Sequence, residues 1–185
     1  MAEIVKVEEL FRGWARFCLV TFRLEDGTLL VRSVEDHGSS AVVLPYDPER
    51  RMALLVSQMR PGVALAGGTE GPEPPAGIIE AGETGEACAR REAEEETGLH
   101  LRVLEPIGRF WSSPGSTTET AELFLAPYSP ADRIGAGGGV DDHEDVEVFE
   151  LPLAELARLI QGGGDLKLLA LVQALQLRRP ELFQP

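Results

Sequence analysis

The sequence predicts a mixed α/β fold, and three features carry that expectation. Short β-rich runs fill the first third and recur beyond residue 100, one long helical stretch lies in the middle, and two helices close the chain. Residues 16–24 are rich in β-branched and aromatic side chains and meet the turn Glu25-Asp26-Gly27-Thr28, after which 29–34 continue as a second strand. Asp-Gly is a strong hairpin signal, because glycine accepts the positive φ that matches the twist of the flanking strands. Residues 40–44 and 52–58 form a second pair around Pro45-Tyr46-Asp47-Pro48, and the Gly- and Pro-rich 62–75 reads as loop. Residues 84–97 read as a helix, with Glu86 in the first turn complementing the dipole and Gly98 suited to the left-handed position at its end. Strand-like runs follow at 101–104, 107–111, 122–126 and 146–151, and the Gly-rich 134–140 reads as flexible. Helices are expected at 152–161, with Pro152 in first position, and at 165–178, with Asp165 as N-cap and Leu169, Val172 and Leu175 on one face. No internal repeat is visible. The reading divides the chain into an N-terminal β region, 1–39, and a main domain, 40–185.

Composition narrows the function. The 185 residues are 43% hydrophobic and carry a net charge of −14. Such an acidic balance excludes a general nucleic-acid binder, which needs a basic face for phosphates, and argues equally against an anionic membrane surface. To bind an anion, this protein needs a divalent cation or a few well-placed arginines. Cys18 and Cys88 lack disulfide or metal-ligand spacing and read as buried free thiols of a reducing compartment. No secretory leader and no membrane-spanning apolar run is seen, so a cytoplasmic location is expected.

The chemistry concentrates in Arg91-Glu92-Ala93-Glu94-Glu95-Glu96. Residues three or four apart share a helix face, so Glu92, Glu95 and Glu96 point to one side and Glu94 elsewhere. Like charges at that spacing repel, and a hard divalent cation reverses the sign of the interaction; oxygen-only donors select Mg²⁺ or Mn²⁺. The competing reading is a solvated helix face in an acidic protein.

The preceding loop decides between them. Gly77, Glu83, Arg91-Glu92-Ala93, Glu95-Glu96 and Gly98-Leu99 match G-x5-E-x7-R-E-U-x-E-E-x-G-U at every fixed position, U being apolar. This is the Nudix box, and the chain resembles a Nudix hydrolase. The resemblance implies an α/β/α sandwich with a mixed sheet, in which a loop-helix-loop binds divalent metal (Mg²⁺ or Mn²⁺) against a substrate pyrophosphate. It makes Glu92 and Glu96 the first metal ligands, with Glu95 close behind and the backbone carbonyl of Ala76 beside them. It casts Glu83 and Arg91 as an ion pair holding the loop on the helix.

Substrate signals lie outside the box. Pro114, fifteen residues beyond Leu99 in Ser113-Pro114-Gly115, resembles the pattern of ADP-ribose pyrophosphatases, although Pro-Gly is also an ordinary turn. Val56-Ser57-Gln58-Met59-Arg60-Pro61 and Pro75-Ala76-Gly77 are similar to the nucleoside-diphosphate-sugar branch, where the arginine approaches substrate. Asp141-Asp142-His143-Glu144-Asp145 is similar to an acidic loop that closes over metal; Glu144 fits a further ligand, and Glu95, Asp142 and Glu144 are alternatives for orienting the attacking water. The glycines at 135–139 suggest that this loop swings in after substrate. By the same resemblance a homodimer with exchanged N-terminal strands is expected, with Trp14 a candidate to stack on the base and Arg32 to contact a ribose or phosphate. The expected reaction is hydrolysis of ADP-ribose to AMP and ribose 5-phosphate. The alternatives are GDP-mannose or another nucleotide sugar, and a non-catalytic sensing module.

Overall fold

The computed structural model describes residues 2–139 and 146–184. The chain divides into two compact units, Met1–Ser40 with Arg109–Ala121, and Ala41–Gly108 with Glu122–Pro185.

In the first unit, β1 (Glu3–Arg12), β2 (Arg16–Arg23) and β3 (Leu29–Asp36) form an antiparallel sheet with β2 central. β2 and β3 pair without interruption from Arg16↔Asp36 to Arg23↔Leu29 around the Asp-Gly turn, where Gly27 has φ 84°. β1 has no counterpart in the sequence expectation. Its pairing with β2 is irregular between Ile4 and Lys6 and between Glu9 and Phe11, which breaks the period-2 alternation by which a half-buried strand is read. In the same unit the turn holding Pro114 is closed by the Ser116 and Thr117 amides donating to Ser113 O at 3.0 and 2.9 Å.

The second sheet contains β4 (Ser40–Asp47), β5 (Met52–Ser57), β6 (Ala76–Ile78), β7 (Glu105–Trp111), β8 (Thr120–Pro127) and β9 (Glu147–Pro152). It is a mixed sheet with order β7-β8-β4-β5-β9, and β6 pairs with β4 off this path. The helices are α1 (Pro61–Leu65), α2 (Gly85–Thr97), α3 (Leu153–Leu159) and α4 (Leu166–Arg178). Among the described residues no helix is long and apolar enough to cross a membrane.

Alternation along the central strands explains the layering. Ala41, Val43 and Leu54 pack with Cys88, Ala89 and Ala93 of α2 in one apolar cluster with Leu99, Leu101 and Phe124. The intervening Val42, Leu44 and Leu55 are just as fully buried, so both faces of β4 and β5 are covered, and α3 contacts β5 and β9. That is why these strands read as continuous apolar runs.

Several local expectations are corrected. Pro45 and Tyr46 lie inside β4 rather than in a turn; the reversal comes after Asp47, whose carboxylate accepts from the amides of Glu49 and Arg50, both at 2.9 Å. Residues 101–104 form no strand: the Leu101 carbonyl accepts from the Arg90 guanidinium, and β7 begins only at Glu105. The loop after β5 contains α1, and β6 opens the box. Pro152 ends β9 and precedes α3 instead of starting it. The Asp165 carboxylate does cap α4, accepting from Leu168 N at 2.7 Å, while the buried face is Leu168, Leu171, Val172 and Leu175, with Leu169 turned partly outward.

Candidate functional site

The site is built on α2 and the loop before it. Thr84 caps the helix, its hydroxyl accepting from Ala87 N at 3.2 Å, and Gly98 ends it in the left-handed conformation at φ 70°. Helical periodicity then sorts the glutamates. Ala93 is fully buried in the core, and Glu94 lies on an exposed flank with Oε2 3.4 Å from His100 Nδ1. Glu96 is only 7% exposed; its carboxylate accepts from Ala76 N at 3.2 Å and from Gln58 Nε2 at 3.4 Å. Burial pushes the Glu96 carboxyl up to about 7, opposed by the Ala76 hydrogen bond and reinforced by the neighbouring Glu92 charge.

Arg91 ties the remaining carboxylates together. Its Nε donates to Glu83 Oε1 at 3.1 Å, and its Nη1 donates to Glu92 Oε1 at 2.6 Å and to Glu95 Oε2 at 3.0 Å. Its Nη2 reaches the Ile78 carbonyl at 3.3 Å, so one guanidinium joins helix and loop. The Arg91 bond and the Glu80 amide hold the Glu83 carboxyl below the usual carboxylate range. Gly77 lets the loop approach this closely: a Cβ there would overlap the Glu92 carboxylate. Cys88 contributes from the buried side, its thiol directed at the carbonyls of Gly77 and Ile78, both at 3.5 Å, and burial pushes that thiol up to about 12.

Arg60, immediately before α1, donates through Nε and Nη2 to Glu73 Oε2 at 2.8 and 2.5 Å. Glu73 is itself fixed by a reciprocal pair of backbone hydrogen bonds with Val56. Arg60 and Glu73 line a small cleft of about 10 Å³, room for one water, with Val42, Pro74, Ala76, Asp165 and Lys167. Gln58, Glu73 and Lys167 are residues that sequence reasoning missed. Gln58 lies inside the 56–61 run, and Lys167 follows a legible N-cap, but no sequence signal links Glu73 to Arg60.

The second unit thus brings together Arg60, Ala76, Glu83, Arg91, Glu92, Glu95 and Glu96. Trp14, Arg32 and Pro114 belong to the first unit. There Trp14 is 77% exposed and stacks one face on the His37 ring at 4.8 Å, Arg32 donates to its neighbour Val31 O, and Pro114 occupies an exposed turn. Asp142, His143 and Glu144 lie outside the described residues.

The donors suit a hard divalent cation, since Glu92, Glu95, Glu96 and the Ala76 carbonyl offer oxygen alone. Among the described residues no three acidic, histidine or cysteine side chains converge on a ready-made metal cage; Glu92 and Glu95 instead share the Arg91 guanidinium.

The sequence profile of the NUDIX domain matches residues 36–172. This chain belongs to the Nudix family. The loop-helix-loop from Gly77 to Leu99 is therefore its Nudix box, and the mixed sheet with its covering helices is the Nudix fold. Two relatives match over nearly the whole length and a third over about 70%. A GDP-mannose pyrophosphatase of Cronobacter sakazakii is 36% identical over 184 residues, covering 95% of each chain. One from Klebsiella pneumoniae is 36% identical, over 94% of this chain and 90% of its own. One from Citrobacter koseri is 40% identical over 71% of this chain and 69% of its own. The crystal structure of an ADP compounds hydrolase superposes with a TM-score of 0.73 at 19% identity, over 98% of this chain and 94% of that one, which is a likeness of fold. The Nudix chain described here is a pyrophosphohydrolase.

Proposed function

We propose that this Nudix enzyme hydrolyses the pyrophosphate of a nucleoside diphosphate sugar, with GDP-mannose as its first substrate and ADP-ribose as its second. The observation that carries the reading is the placement of Ala76. Its amide holds Glu96 on one side, and on the other it lines the cleft containing Arg60 and Lys167. Clustered carboxylates beside two cationic side chains suit a diphosphate whose distal half carries its own charge. The sequence expectation puts ADP-ribose first on the strength of Pro114. The near full-length relatives are named for GDP-mannose, and the ADP compounds hydrolase is related in fold at 19% identity, so the order is reversed.

In this proposal Glu92, Glu95, Glu96 and the Ala76 carbonyl hold Mg²⁺ or Mn²⁺, with Glu144 as a further ligand. The bound ion would supply charge neutralisation on the diphosphate and a more acidic water. Arg60, steadied by Glu73, and Lys167 draw the distal phosphate to the mouth of their cleft by charge, which fixes the direction of in-line attack. Glu95, the most open of the three glutamates proposed as metal ligands on α2, is the described candidate to accept the proton of the attacking water, with Asp142 and Glu144 as alternatives. The test is a panel of GDP-mannose, ADP-ribose, NADH and diadenosine polyphosphates with Mg²⁺ or Mn²⁺. The expected result is GMP and mannose 1-phosphate, with kcat/KM for GDP-mannose at least tenfold above that for ADP-ribose, and no turnover in chelator. Failure to cleave any of these compounds overturns the proposal.

We also propose a homodimer formed through the first unit. Ile4, Val7, Leu10, Phe11 and Trp14 are 54–77% exposed, an apolar concentration that a monomer rarely shows to water. A second copy, with exchanged N-terminal strands, would cover them, and Trp14 and Arg32 would then be placed to contact base or ribose across the interface. Light scattering should give twice the 20.0 kDa chain mass, falling to the monomer in Val7→Lys/Leu10→Lys. A monomeric wild type rejects the interface.

A further inference from the structure

The last turn of a helix leaves its carbonyls without intrahelical partners. In α2 two of those carbonyls, those of Glu95 and Glu96, are taken by the loop that follows β8. Gly139 N donates to Glu95 O at 3.2 Å and Gly138 N to Glu96 O at 2.8 Å. Gly98 O accepts from Ile134 N at 2.8 Å and Gly135 N at 3.3 Å, and His100 N donates to Asp132 O at 2.9 Å. Leu99 and Arg133 form an antiparallel bridge, and the Arg133 guanidinium doubles back to the carbonyls of Gly135 and Ala136 at 3.3 and 3.1 Å.

The approach is backbone against backbone. At Gly137, φ is 72° and a Cβ would overlap the Glu96 carbonyl and crowd the Thr97 backbone; at Gly98 a Cβ would overlap the Gly135 carbonyl. Glycine composition, which reads in the sequence as freedom to move, here permits close approach.

We infer that residues 132–139 are a brace that positions the catalytic turn of α2, with Gly137 and Arg133 as its positioning residues. The brace immobilises the backbone from which Glu95 and Glu96 project. The inference rests on those two glutamates acting in hydrolysis, as proposed above. Misplacing a catalytic group by about 1 Å costs on the order of a hundredfold in rate. Loosening the brace therefore falls mainly on kcat, while Arg60 and Lys167, which lie outside it, keep their place in substrate binding.

The test combines amide exchange by NMR with steady-state kinetics on Gly137→Ala, Gly137→Asn and the control Gly71→Ala, where an added Cβ meets nothing within 4 Å. Asparagine tolerates a positive φ but carries a Cβ, so it separates conformational need from lack of space. In both Gly137 variants exchange at Thr97 and Gly98 should speed at least tenfold, while Cys88 and Ala89 keep wild-type rates. On GDP-mannose kcat should fall at least tenfold with KM within threefold, and Gly71→Ala should match wild type. Arg133→Met adds no clash and keeps the question decidable should the Gly137 variants not fold; a threefold or greater loss in kcat at constant KM is expected. The brace is overturned by unprotected Gly138 and Gly139 amides in the wild type, by uniform acceleration along α2, by unchanged kcat, or by full rescue with asparagine. A wild type inactive on every nucleotide sugar would overturn the activity reading alone, because the exchange pattern decides the brace independently.

Discussion

Glu96→Gln is expected to lose roughly a hundred- to a thousandfold in turnover, the range seen when one charge-stabilising group is removed from an active site. The same variant is expected to fold at least as stably as wild type in chelator. Gln keeps a carbonyl oxygen that can accept from Ala76 N, and it removes a carboxylate buried to 7% exposure beside Glu92. The pH dependence has a definite sign. The folded value of about 7 lies above the 4.5 of an unperturbed glutamate, so between them the folded protein keeps a proton that the unfolded chain has released. The stability this group contributes is full below about 4.5 and is lost as pH rises through about 7. Gln has no such titration. Denaturant melts in chelator should therefore show the variant gaining on wild type between these values, by a margin of order 3 kcal/mol. Near wild-type activity would remove Glu96 from the catalytic machinery, and a constant stability gap across that window would refute its buried titration.

The second large effect belongs to Arg91→Met. Methionine conserves much of the aliphatic stem but removes the guanidinium that joins Glu83, Glu92, Glu95 and the Ile78 carbonyl. Removing one partner from a largely buried ion pair costs more than the pair itself contributes, because the remaining charges stay poorly solvated. With Arg91 at 30% side-chain exposure, the loss should be about 2–4 kcal/mol. For a chain of this size that corresponds to a fall in Tm of roughly 5–15 °C. Turnover should drop as well, since Glu92 and Glu95 lose the group that orients them. A Tm within 2 °C of wild type, measured in chelator, would show that Arg91 is not a structural tie.

The box was legible because its chemistry and its geometry share one local period. Glu92, Glu95 and Glu96 fall on one face and Glu94 on another through helical spacing alone, and Gly98 marks where the spacing stops. The chain also announced its Asp-Gly hairpin and the Asp165 cap, which are set by neighbours in sequence. What stayed hidden depends on partners far along the chain. Leu99 and Leu101 are apolar because they lie beneath α2, and burial alone does not reveal whether a segment has a strand to pair with. β1 conceals its pairing behind two irregularities of register. Glu73 meets Arg60, and Gln58 meets Glu96, only through the folded sheet. The glycines at 135–139 show the same limit from another direction, because composition does not distinguish a residue that must move from one that must fit.

The cleft at Ala76 has a consequence for how such enzymes diverge. In the function proposed above, most of the groups that would break the P–O–P bond come from one short stretch, Ala76 to Glu96, whereas Arg60, Glu73 and Lys167 arrive from separate stretches on either side of it. If those assignments hold, mutation would exchange one nucleotide sugar for another while the hydrolytic apparatus is largely inherited intact, and two descendants with identical boxes would evolve different diets.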